Sequence, residues 1–253
     1  MGASKRDAKD VKRATGLVWE RPEPAPRTAP APLSREAIVG AAIALAKEEG
    51  IEAVSVRNIA RVLEVGPMRL YGFIASKEEL LDLIIDEVYR DLLPEGPLAG
   101  PWRNALSMIG RRLRTAAHAH PWFPGLLCGR PNIGPNALAY LEVALSALTR
   151  DDPTMSIDAA VDALRVLQAY VLGAVQTEMN DLRAARESGL DDEAWRALHA
   201  PYLARMFSRG QFPTLQRVVA EHEHVAPDTS FERGLAWVLD GIEANLRSGG
   251  SSL

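Results

Sequence analysis

Signals that begin and end α-helices follow one another closely in the N-terminal part of this chain. Ser34 and Ser55 are both residue types that cap a helix N-terminus, and apolar residues at helical spacing follow each of them. Ser76 opens a Ser-Lys-Glu-Glu capping-box pattern, and Gly50 is typical of a helix end. Pro67 suits the first position of a short helix, where its missing N–H group is not needed. These signals predict four consecutive helices.

The rest of the chain continues the helical periodicity, and no segment shows sustained strand alternation. Residues 93–101, rich in proline and glycine, interrupt the pattern and are predicted to be a linker. We therefore predict an all-α protein, with an N-terminal three-helix helix-turn-helix domain in residues 34–92 and a larger helical domain in residues 102–247. The helices predicted in the larger domain are 102–118, 121–127, 135–149, 156–187, 191–208, 213–222 and 230–247.

Both ends of the chain are predicted to lie outside this helical structure. Five prolines between residues 22 and 32 exclude a helix there, because each removes a backbone donor and disfavours helix at the preceding residue. Residues 1–33, with seven basic and four acidic side chains, are expected to form a flexible basic arm. The arm could enter a DNA minor groove or be only a disordered tail. Residues 248–253 are expected to be a disordered tail.

The distribution of charge matters more than its total. The whole chain carries 29 basic and 33 acidic residues, a net charge of −4 that gives no support to a nucleic-acid partner. Between residues 55 and 77, however, four basic residues stand against one acidic residue. Such a local patch can bind phosphate because salt screens charges beyond ~10 Å, although an ordinary solvated helix face is the alternative. The residues are Arg57, Arg61, Arg69 and Lys77, against Glu64.

Several classes of protein are not supported by the sequence. It has no apolar run of the ~20 residues that a membrane helix needs and no signal peptide, so we expect a soluble cytoplasmic protein without a membrane partner. One cysteine, Cys128, excludes a disulfide framework and is expected to be a buried thiol. Neither His118 and His120 nor His222 and His224 have metal-ligand spacing on a helix. No known catalytic or phosphate-loop motif is present, so we expect no metal, no cofactor and no enzyme activity.

The second and third predicted helices match a helix-turn-helix. Gly66 would let the two helices cross closely, and Leu63, Val65 and Leu70 would hold the angle between them. The third helix would then offer its side chains to a DNA major groove. A plain helical hairpin shares the first two features, so the pattern alone fits both interpretations.

Residues 34–92 resemble the DNA-binding domain of the tetracycline-repressor (TetR) family of transcriptional regulators. The resemblance depends on three segments in the family's order and separation: Ser55–Leu63 (SVRNIARVL), Val65–Tyr71 (VGPMRLY) and Ser76–Leu81 (SKEELL). The second region is similar to the tetracycline-repressor-like C-terminal domain, notably around residues 120–122 and 134–137. The resemblance implies a DNA-binding regulator with a separate ligand-binding domain.

The resemblance also implies which side chains contact DNA. Arg57 is expected to reach a phosphate or a base edge, and Arg69 to recognise a base, because a guanidinium can bond two guanine acceptors at once. Tyr71 and Lys77 are expected to bind phosphates. Alternatively, Tyr71 is a half-buried aromatic, Arg57 an ion-pair partner and Lys77 a solvated residue. The full set is Arg57, Pro67, Met68, Arg69, Tyr71, Gly72 and Lys77.

Gly72 departs from the family pattern, in which a larger polar or basic residue commonly follows the Leu-Tyr pair. Gly72 could allow the backbone to approach the DNA closely, or it could simply end the helix. Phe73, the next residue, is expected in the core rather than at a base.

The larger domain is expected to form a homodimer and a ligand pocket. Residues 159–175 are apolar nearly all round, and an apolar stripe runs from Phe231 to Leu246. The resemblance implies that these helices form a four-helix dimer interface, although a monomer core is the alternative. Of the 15 aromatic residues, 11 follow residue 94, as suits an apolar small-molecule site, although each could simply be core. The candidate lining residues are Met108, Trp122, Phe123, Asn136, Tyr140, Gln168 and Gln176.

The sequence therefore predicts a dimeric, ligand-responsive transcriptional regulator, in particular a repressor of a palindromic double-stranded DNA operator. Two recognition helices about 34 Å apart would fit successive major grooves. A small apolar effector would release the operator only by binding the two states with different affinity. The alternative is an all-α small-molecule-binding protein or enzyme without specific DNA binding, which would lack a steep loss of DNA affinity with rising salt.

Overall fold

The computed structural model describes most of the chain as helix. Within the described residues there are eleven α-helices, one short 3-10 turn and no strand, so the all-α prediction is confirmed. The predictions for residues 1–16 and 25–32, Cys128, His224 and residues 249–253 lie outside the described residues. The described residues are 17–24, 33–96, 98, 100–127, 131–151, 155–208, 210–222 and 225–248.

The first four helices begin where the sequence predicts. The side chains of Ser34, Ser55 and Ser76 each accept a hydrogen bond from the backbone N–H three residues later, at 3.1–3.2 Å. Gly50 follows the first helix with a φ of 87°, a conformation that glycine adopts without strain. The four helices are α1 (Arg35–Glu49), α2 (Val56–Val62), α3 (Pro67–Leu70) and α4 (Lys77–Leu92).

The turn between α2 and α3 differs from the prediction. Gly66 has a φ of −67°, and open space surrounds the position of a Cβ there, so neither a left-handed backbone nor a close crossing requires glycine. Glu64 instead takes the left-handed conformation, with a φ of 52°. The role predicted for Gly66 is therefore wrong, because the chain reverses two residues earlier. Leu70 is fully buried, and Leu63 and Val65 are half-buried, in keeping with the predicted packing.

Seven further helices follow the linker, close to the predicted positions. The second of them begins at Phe123 because residues 121–122 form a turn. The last begins at Pro227, three residues before the predicted start, with proline in the first position where its missing N–H is harmless. The helices are α5 (Trp102–Ala119), α6 (Phe123–Leu126), α7 (Pro135–Asp151), α8 (Ile157–Ser188), α9 (Asp192–Phe207), α10 (Pro213–Glu221) and α11 (Pro227–Ser248).

The chain divides into two compact units, Met1–Ala160 and Val161–Leu253. In the first unit α2 packs against α1 and α3, and α1 packs against α4. The same helix α4 also packs against α5 and α7, which contact each other. Because α4 belongs to both sets of contacts, it joins the helix-turn-helix to the helices beyond the linker.

In the second unit, helices α8 and α11 contact each other closely. The Tyr170 hydroxyl donates a 2.7 Å hydrogen bond to the Phe231 carbonyl, and the two rings stack with centroids 5.7 Å apart. Gly234 makes this approach possible, since a Cβ there would lie 2.7 Å from Tyr170 Cζ. In contrast, α9 and α10 have no buried residue among those described. None of the described helices is long and apolar enough to cross a membrane.

Candidate functional site

The seven residues predicted to contact DNA all lie on the surface. Leu70 fixes the short helix α3 to the core with no exposed area. On the same segment Met68 is 80% exposed and Tyr71 is 51% exposed, although both are large apolar side chains. Large apolar side chains held in solvent are typical of a surface that another molecule covers. The exposed residues are Arg57, Pro67, Met68, Arg69, Tyr71, Gly72 and Lys77.

The cations of this surface are available to an anionic partner. Arg57, Arg69 and Lys77 form no salt bridge or side-chain hydrogen bond with any residue that the structure describes. The neighbouring carboxylate of Glu79 is instead paired with Arg21. It also accepts a 2.7 Å hydrogen bond from the Ala75 N–H, at the start of α4. The local charge near Lys77 is therefore less acidic than the sequence alone indicates.

The chain just after α3 is held by two contacts. Phe73 is buried, and its carbonyl accepts a 3.2 Å hydrogen bond from Arg35 Nε. Gly72 lies against Pro24, since a Cβ added to Gly72 would lie 3.3 Å from Pro24 Cγ. A larger residue at Gly72 would thus press on the segment that precedes α1.

Asp86, on the buried side of α4, binds the start of α7. Its side chain is 4% exposed, and its Oδ1 accepts backbone hydrogen bonds from Asn136 and Ala137 at 3.0 and 2.9 Å. Oδ2 accepts from Asn136 Nδ2 at 3.0 Å. Burial raises the pKa of Asp86, and these three hydrogen bonds oppose the shift. The carboxylate therefore caps one helix from within another.

Glycine is required beside this carboxylate. A Cβ on Gly134 would lie 2.8 Å from Asp86 Cβ and would overlap the carboxylate itself. The Gly134 N–H donates to Asn132 Oδ1 at 2.8 Å, and Asn132 Nδ2 donates to the Asp82 carbonyl at 2.9 Å. The residues before α7 are thus held along α4. We name Asp86, Gly134, Asn136 and Ala137 the α4–α7 clamp.

Five aromatic rings form a continuous cluster next to the clamp. Tyr89 on α4 lies 5.8 Å from Phe123 and 5.1 Å from Tyr140 between ring centroids. Trp122 lies 6.3 Å from Phe123 and 5.4 Å from His120. Burial raises the pKa of the Tyr89 hydroxyl, so this group stays neutral. Three of the candidate ligand residues, Trp122, Phe123 and Tyr140, therefore lie together.

Two ring nitrogens of this aromatic cluster lack hydrogen bonds. Trp122 Nε1 and His120 Nδ1 are buried and have no hydrogen-bond partner among the described residues. Buried polar groups are nearly always paired, so each of these atoms calls for a partner beyond the described residues, such as a water molecule or a ligand. Burial also lowers the pKa of His120, which favours its neutral form. The cluster thus combines closely packed, buried aromatic rings with two ring nitrogens that have no partner among the described residues.

The other candidate ligand residues have different surroundings. Asn136 belongs to the α4–α7 clamp, and Met108 is half-buried on α5. In the second unit, Gln168 is half-buried and Gln176 is exposed, with its Nε2 donating to Asn180 Oδ1 at 3.0 Å. Among the described residues, no three His, Cys, Asp or Glu side chains form a group that could hold a metal ion.

A cavity of about 410 Å³ lies between the linker and α7. None of the seven candidate ligand residues is part of its lining. Arg150 lies at its edge and donates to the carbonyls of Leu98 and Gly100 at 2.7 and 2.9 Å. The lining residues are Leu93, Pro94, Gly96, Leu98, Val143, Ser146, Ala147 and Arg150.

Known proteins resemble both parts of the chain. Residues 38–84 match the family described as bacterial regulatory proteins, tetR family, and residues 93–246 match the tetracyclin repressor-like C-terminal domain. The HTH-type transcriptional repressor DrrR1 of Streptomyces coeruleorubidus is 32% identical over 243 residues, which cover 92% of this chain and 86% of that protein. The chain belongs to the TetR family of transcriptional regulators.

Other members of the TetR family are similar at lower identity. The class A tetracycline repressor of Escherichia coli, from transposon 1721, is 26% identical, with 83% of this chain and 90% of that protein covered. The crystal structure of Streptomyces coelicolor ActR in complex with actinorhodin has a TM-score of 0.73 and 26% identity, covering 87% of this chain and 99% of that one. This TetR-family chain is thus a DNA-binding, ligand-responsive regulator of transcription.

Sequence reasoning missed several residues of this TetR-family chain. Asp86 and Tyr89 lie on α4, which was assigned wholly to the DNA-binding domain, yet both side chains contact elements beyond the linker. A signal for Asp86 was present, since it is an acidic residue among the buried Ile84, Ile85 and Val88. Nothing comparable marks Arg21, whose partner Glu79 is 58 positions away.

Proposed function

We propose that this regulator is a repressor that binds a palindromic operator as a homodimer and releases it when a planar, largely apolar effector binds the first unit. The observation that carries the DNA-binding part is the exposed surface around α3, where Arg57, Arg69 and Lys77 form no salt bridge with any described residue. Repression is supported by the 32% identity with the repressor DrrR1. The protein would act on DNA in the cytoplasm.

Each exposed residue has a chemical role in the proposed operator complex. Arg69 would bond two acceptors of a guanine in the major groove, and Met68 beside it would contact a thymine methyl group. Arg57, Tyr71 and Lys77 would donate to phosphates and fix the register of α3. At Pro67 and Gly72 the side chains are small or absent, so the backbone there would approach the DNA closely.

The aromatic cluster is the proposed effector site. Flat rings of Trp122, Phe123 and Tyr140 suit a planar ligand, and the unsatisfied Trp122 Nε1 would donate to an acceptor on its rim. His120 Nδ1 would supply a second polar contact. The relative ActR has been solved with actinorhodin, and an Acinetobacter baumannii TetR variant with minocycline, which supports a polycyclic effector here.

Helix α4 would couple the two sites. It begins at Lys77, beside the proposed phosphate contacts, and Tyr89 follows about 18 Å further along the same rigid helix. An effector that moves Tyr89 or the α4–α7 clamp would move Lys77 and α3 with it. The shift requires the effector to bind the two positions of α4 with different affinity.

Helices α8 and α11 are the proposed dimer interface. In the second unit, Val166 on α8 and Trp237 on α11 are 51% and 67% exposed. Apolar residues on two long helices that already pack against each other would be covered by the same helices of a second copy. A dimer places two copies of α3 on one palindromic site.

Binding to the DNA upstream of the protein's own gene tests the operator proposal. DNase footprinting of these fragments should show one protected palindrome, and fluorescence anisotropy should show an affinity that falls steeply as salt rises. The double variant Arg69→Ala/Tyr71→Ala should lose about 100-fold or more in affinity, since each contact contributes roughly 1–3 kcal/mol. Lys47→Ala, an exposed cation on α1 outside the proposed surface, is the control and should bind normally. Equal, sequence-independent binding by wild type and double variant would overturn the proposal.

A second experiment tests the effector site. Minocycline and actinorhodin are titrated into the protein–operator complex, and release of DNA is followed together with quenching of tryptophan fluorescence. Trp122→Phe should weaken the response to any compound that releases the wild type, because it removes the indole donor and keeps an aromatic ring. Ser146→Ala, at the separate cavity, should respond as wild type does. The reverse pattern would place the effector in that cavity instead.

A further inference from the structure

Residues 17–24, which precede the helix-turn-helix in the sequence, have a defined position in the structure. The Glu20 N–H donates to the Leu17 carbonyl at 3.0 Å, which closes a turn. Val18 within this turn is 3% exposed, so the turn is packed on the rest of the chain. We name residues 17–24 the N-terminal strap.

The chain between α3 and α4 links two of the proposed phosphate contacts. Tyr71 is the first residue of this connection, residues 71–76, and Lys77 is the first residue of α4. The conformation of the connection therefore sets how far apart the Cα atoms of Tyr71 and Lys77 lie. Phosphate contacts fix the register of a protein on a duplex, so their spacing must match that of the DNA. We name residues 71–76 the α3–α4 turn.

Two side chains from neighbouring helices hold the backbone of the α3–α4 turn. Arg35 Nε, at the start of α1, donates to the Phe73 carbonyl at 3.2 Å. Glu79 Oε2, in the first turn of α4, accepts a 2.7 Å hydrogen bond from the Ala75 N–H. Each bond joins the turn to a helix, so the conformation of the turn depends on both side chains staying in place.

The N-terminal strap binds both of the residues that hold the turn. Arg21 forms a salt bridge with Glu79, on the same Oε2 that accepts from the Ala75 N–H. The two side chains of this salt bridge are 23% and 18% exposed, so the pair is largely shielded from water. Glu23 Oε1 accepts a 3.2 Å hydrogen bond from the Arg35 N–H. The strap thus helps to fix both holding residues.

The strap also contacts the turn directly. Pro24 lies against Gly72, where an added Cβ would be 3.3 Å from Pro24 Cγ. The contacts on the turn at Gly72, Phe73 and Ala75 therefore each involve the strap itself or a residue that the strap binds. Loss of the strap would weaken all of these contacts together.

We propose that the N-terminal strap positions the phosphate contacts of Tyr71 and Lys77, with Arg21 as its principal positioning residue. The strap fixes the α3–α4 turn before the operator binds, so less conformational freedom is lost on binding. Positioning is favoured over a direct contact with DNA because the Arg21 guanidinium is already paired with Glu79. The inference rests on the proposed function, since it requires operator binding through α3.

Hydrogen exchange of the free, full-length protein tests the structural half of the proposal. Arg21→Gln removes the charge that fixes Glu79, so the amides of the α3–α4 turn should exchange at least about threefold faster than in the wild type. Arg90→Gln is the matched control, because Arg90 forms an ion pair with Glu87 near the other end of α4. This control should leave exchange in the turn unchanged. Unchanged exchange in Arg21→Gln would overturn the proposal.

Operator affinity, measured by fluorescence anisotropy, tests the functional half. Arg21→Gln should bind the operator roughly 3- to 10-fold more weakly, as expected for loss of a largely shielded ion pair. Arg90→Gln removes the same charge from the chain and should bind within about twofold of the wild type, which excludes net charge as the cause. Arg21→Lys retains the charge opposite Glu79 and should recover most of the affinity. Wild-type affinity in Arg21→Gln would overturn the proposal even if exchange in the turn were faster.

A double-mutant cycle distinguishes positioning from a direct contact between Arg21 and DNA. In the Tyr71→Phe/Lys77→Gln background the positioned contacts are absent, so Arg21→Gln should change the affinity by less than about twofold. In the Arg57→Gln background, where the lost contact is on α2, Arg21→Gln should keep its full effect. A full effect in both backgrounds would show that Arg21 contacts DNA itself and would overturn the proposal.

The wild type separates the positioning role from the proposed function. Absence of specific operator binding by the wild type would contradict the proposed function, and the positioning role with it. Specific binding by the wild type together with equal binding by Arg21→Gln would overturn the positioning role alone.

Discussion

Gly134 stands where a single methyl group would collide with a buried carboxylate. A Cβ at this position would lie 2.8 Å from Asp86 Cβ, and neither Asp86 nor the start of α7 can move without breaking the clamp's hydrogen bonds. We expect Gly134→Ala to lower the free energy of unfolding by about 1–3 kcal/mol, as overpacking of a core does. Urea denaturation followed by circular dichroism measures this.

The control for Gly134→Ala is Gly40→Ala. Gly40 is an exposed residue inside α1 with open space around its Cβ position. Alanine there should raise the free energy of unfolding by about 0.5–1 kcal/mol, because glycine loses more backbone freedom on folding. If both variants shifted stability in the same direction, the clash at Asp86 would not be the cause.

His120 should make the stability of the protein depend on pH. Burial lowers the pKa of its imidazole in the folded state, with a smaller lowering by Lys47 and an opposing effect of Asp91. The unfolded chain then binds more protons, so stability is fully present above about pH 6.5 and falls as pH drops through the lowered folded pKa. His120→Phe keeps a ring and removes the proton site.

The measurement compares the free energy of unfolding of wild type and His120→Phe at about pH 7.5 and pH 5.5, on either side of the ordinary imidazole pKa. The wild type should lose more stability between these two values than the variant. An equal loss would mean that carboxylates, not His120, set the pH dependence.

Residue-level prediction from the sequence succeeded where the contact is local. Ser34, Ser55 and Ser76 bond to an N–H three residues away, so a short sequence pattern contains the whole interaction. Asp86 caps a helix that begins 49 positions later, and no local pattern records that pairing. The prediction for Gly66 failed for another reason, because no neighbouring atom approaches its Cβ position closely and the left-handed residue of this turn is Glu64.

At the scale of elements, the α4–α7 clamp should contribute to both stability and signalling. Asp86→Ala leaves the Asn136 and Ala137 N–H groups without an acceptor and should cost about 1–3 kcal/mol of unfolding free energy. Asp86→Asn keeps an acceptor for these N–H groups, so its cost should be smaller. Thermal and urea unfolding measure the order of the two variants.

The signalling part of this prediction needs a second measurement. If α4 transmits effector binding, Asp86→Asn should bind the operator but require a different effector concentration to release it, since a weaker clamp changes the balance between the two positions of α4. Asn132→Ala is the control, because Asn132 bonds to the Asp82 carbonyl and the Gly134 N–H and makes no hydrogen bond with the Asp86 carboxylate. If Asp86→Asn released the operator at the same effector concentration as the wild type, the clamp would have a structural role only.

The elements themselves were largely predictable, whereas their partners were not. Periodicity and caps define α4 from Ser76 onward, and these features say that one side of it is buried. They do not show that the Tyr89 ring contacts Phe123 and Tyr140, two residues that follow the linker in the sequence. The candidate ligand set therefore included Phe123 and Tyr140 but not the ring that joins them, because only the folded chain brings these helices together.

At the scale of the whole molecule, the proposed function depends on a dimer. A single helix-turn-helix contacts one half-site, and linking two of them makes the second contact intramolecular. The exposed Val166 and Trp237, on α8 and α11, would supply the apolar interface that joins the copies. Loss of that interface should therefore weaken DNA binding without any change near α3.

The variant Val166→Asp/Trp237→Glu tests this dependence, since two charges per copy would be buried in the interface at a cost that no partner offsets. Sedimentation velocity should show a dimer for the wild type and a monomer of about half the mass for the variant. Operator affinity should fall about 100-fold or more, while binding to an isolated half-site stays the same. Leu138→Glu, on the exposed side of α7 in the first unit, is the control and should remain a dimer with normal affinity. A double variant that stayed dimeric would assign the interface to other residues, and a monomer with full operator affinity would contradict a palindromic operator.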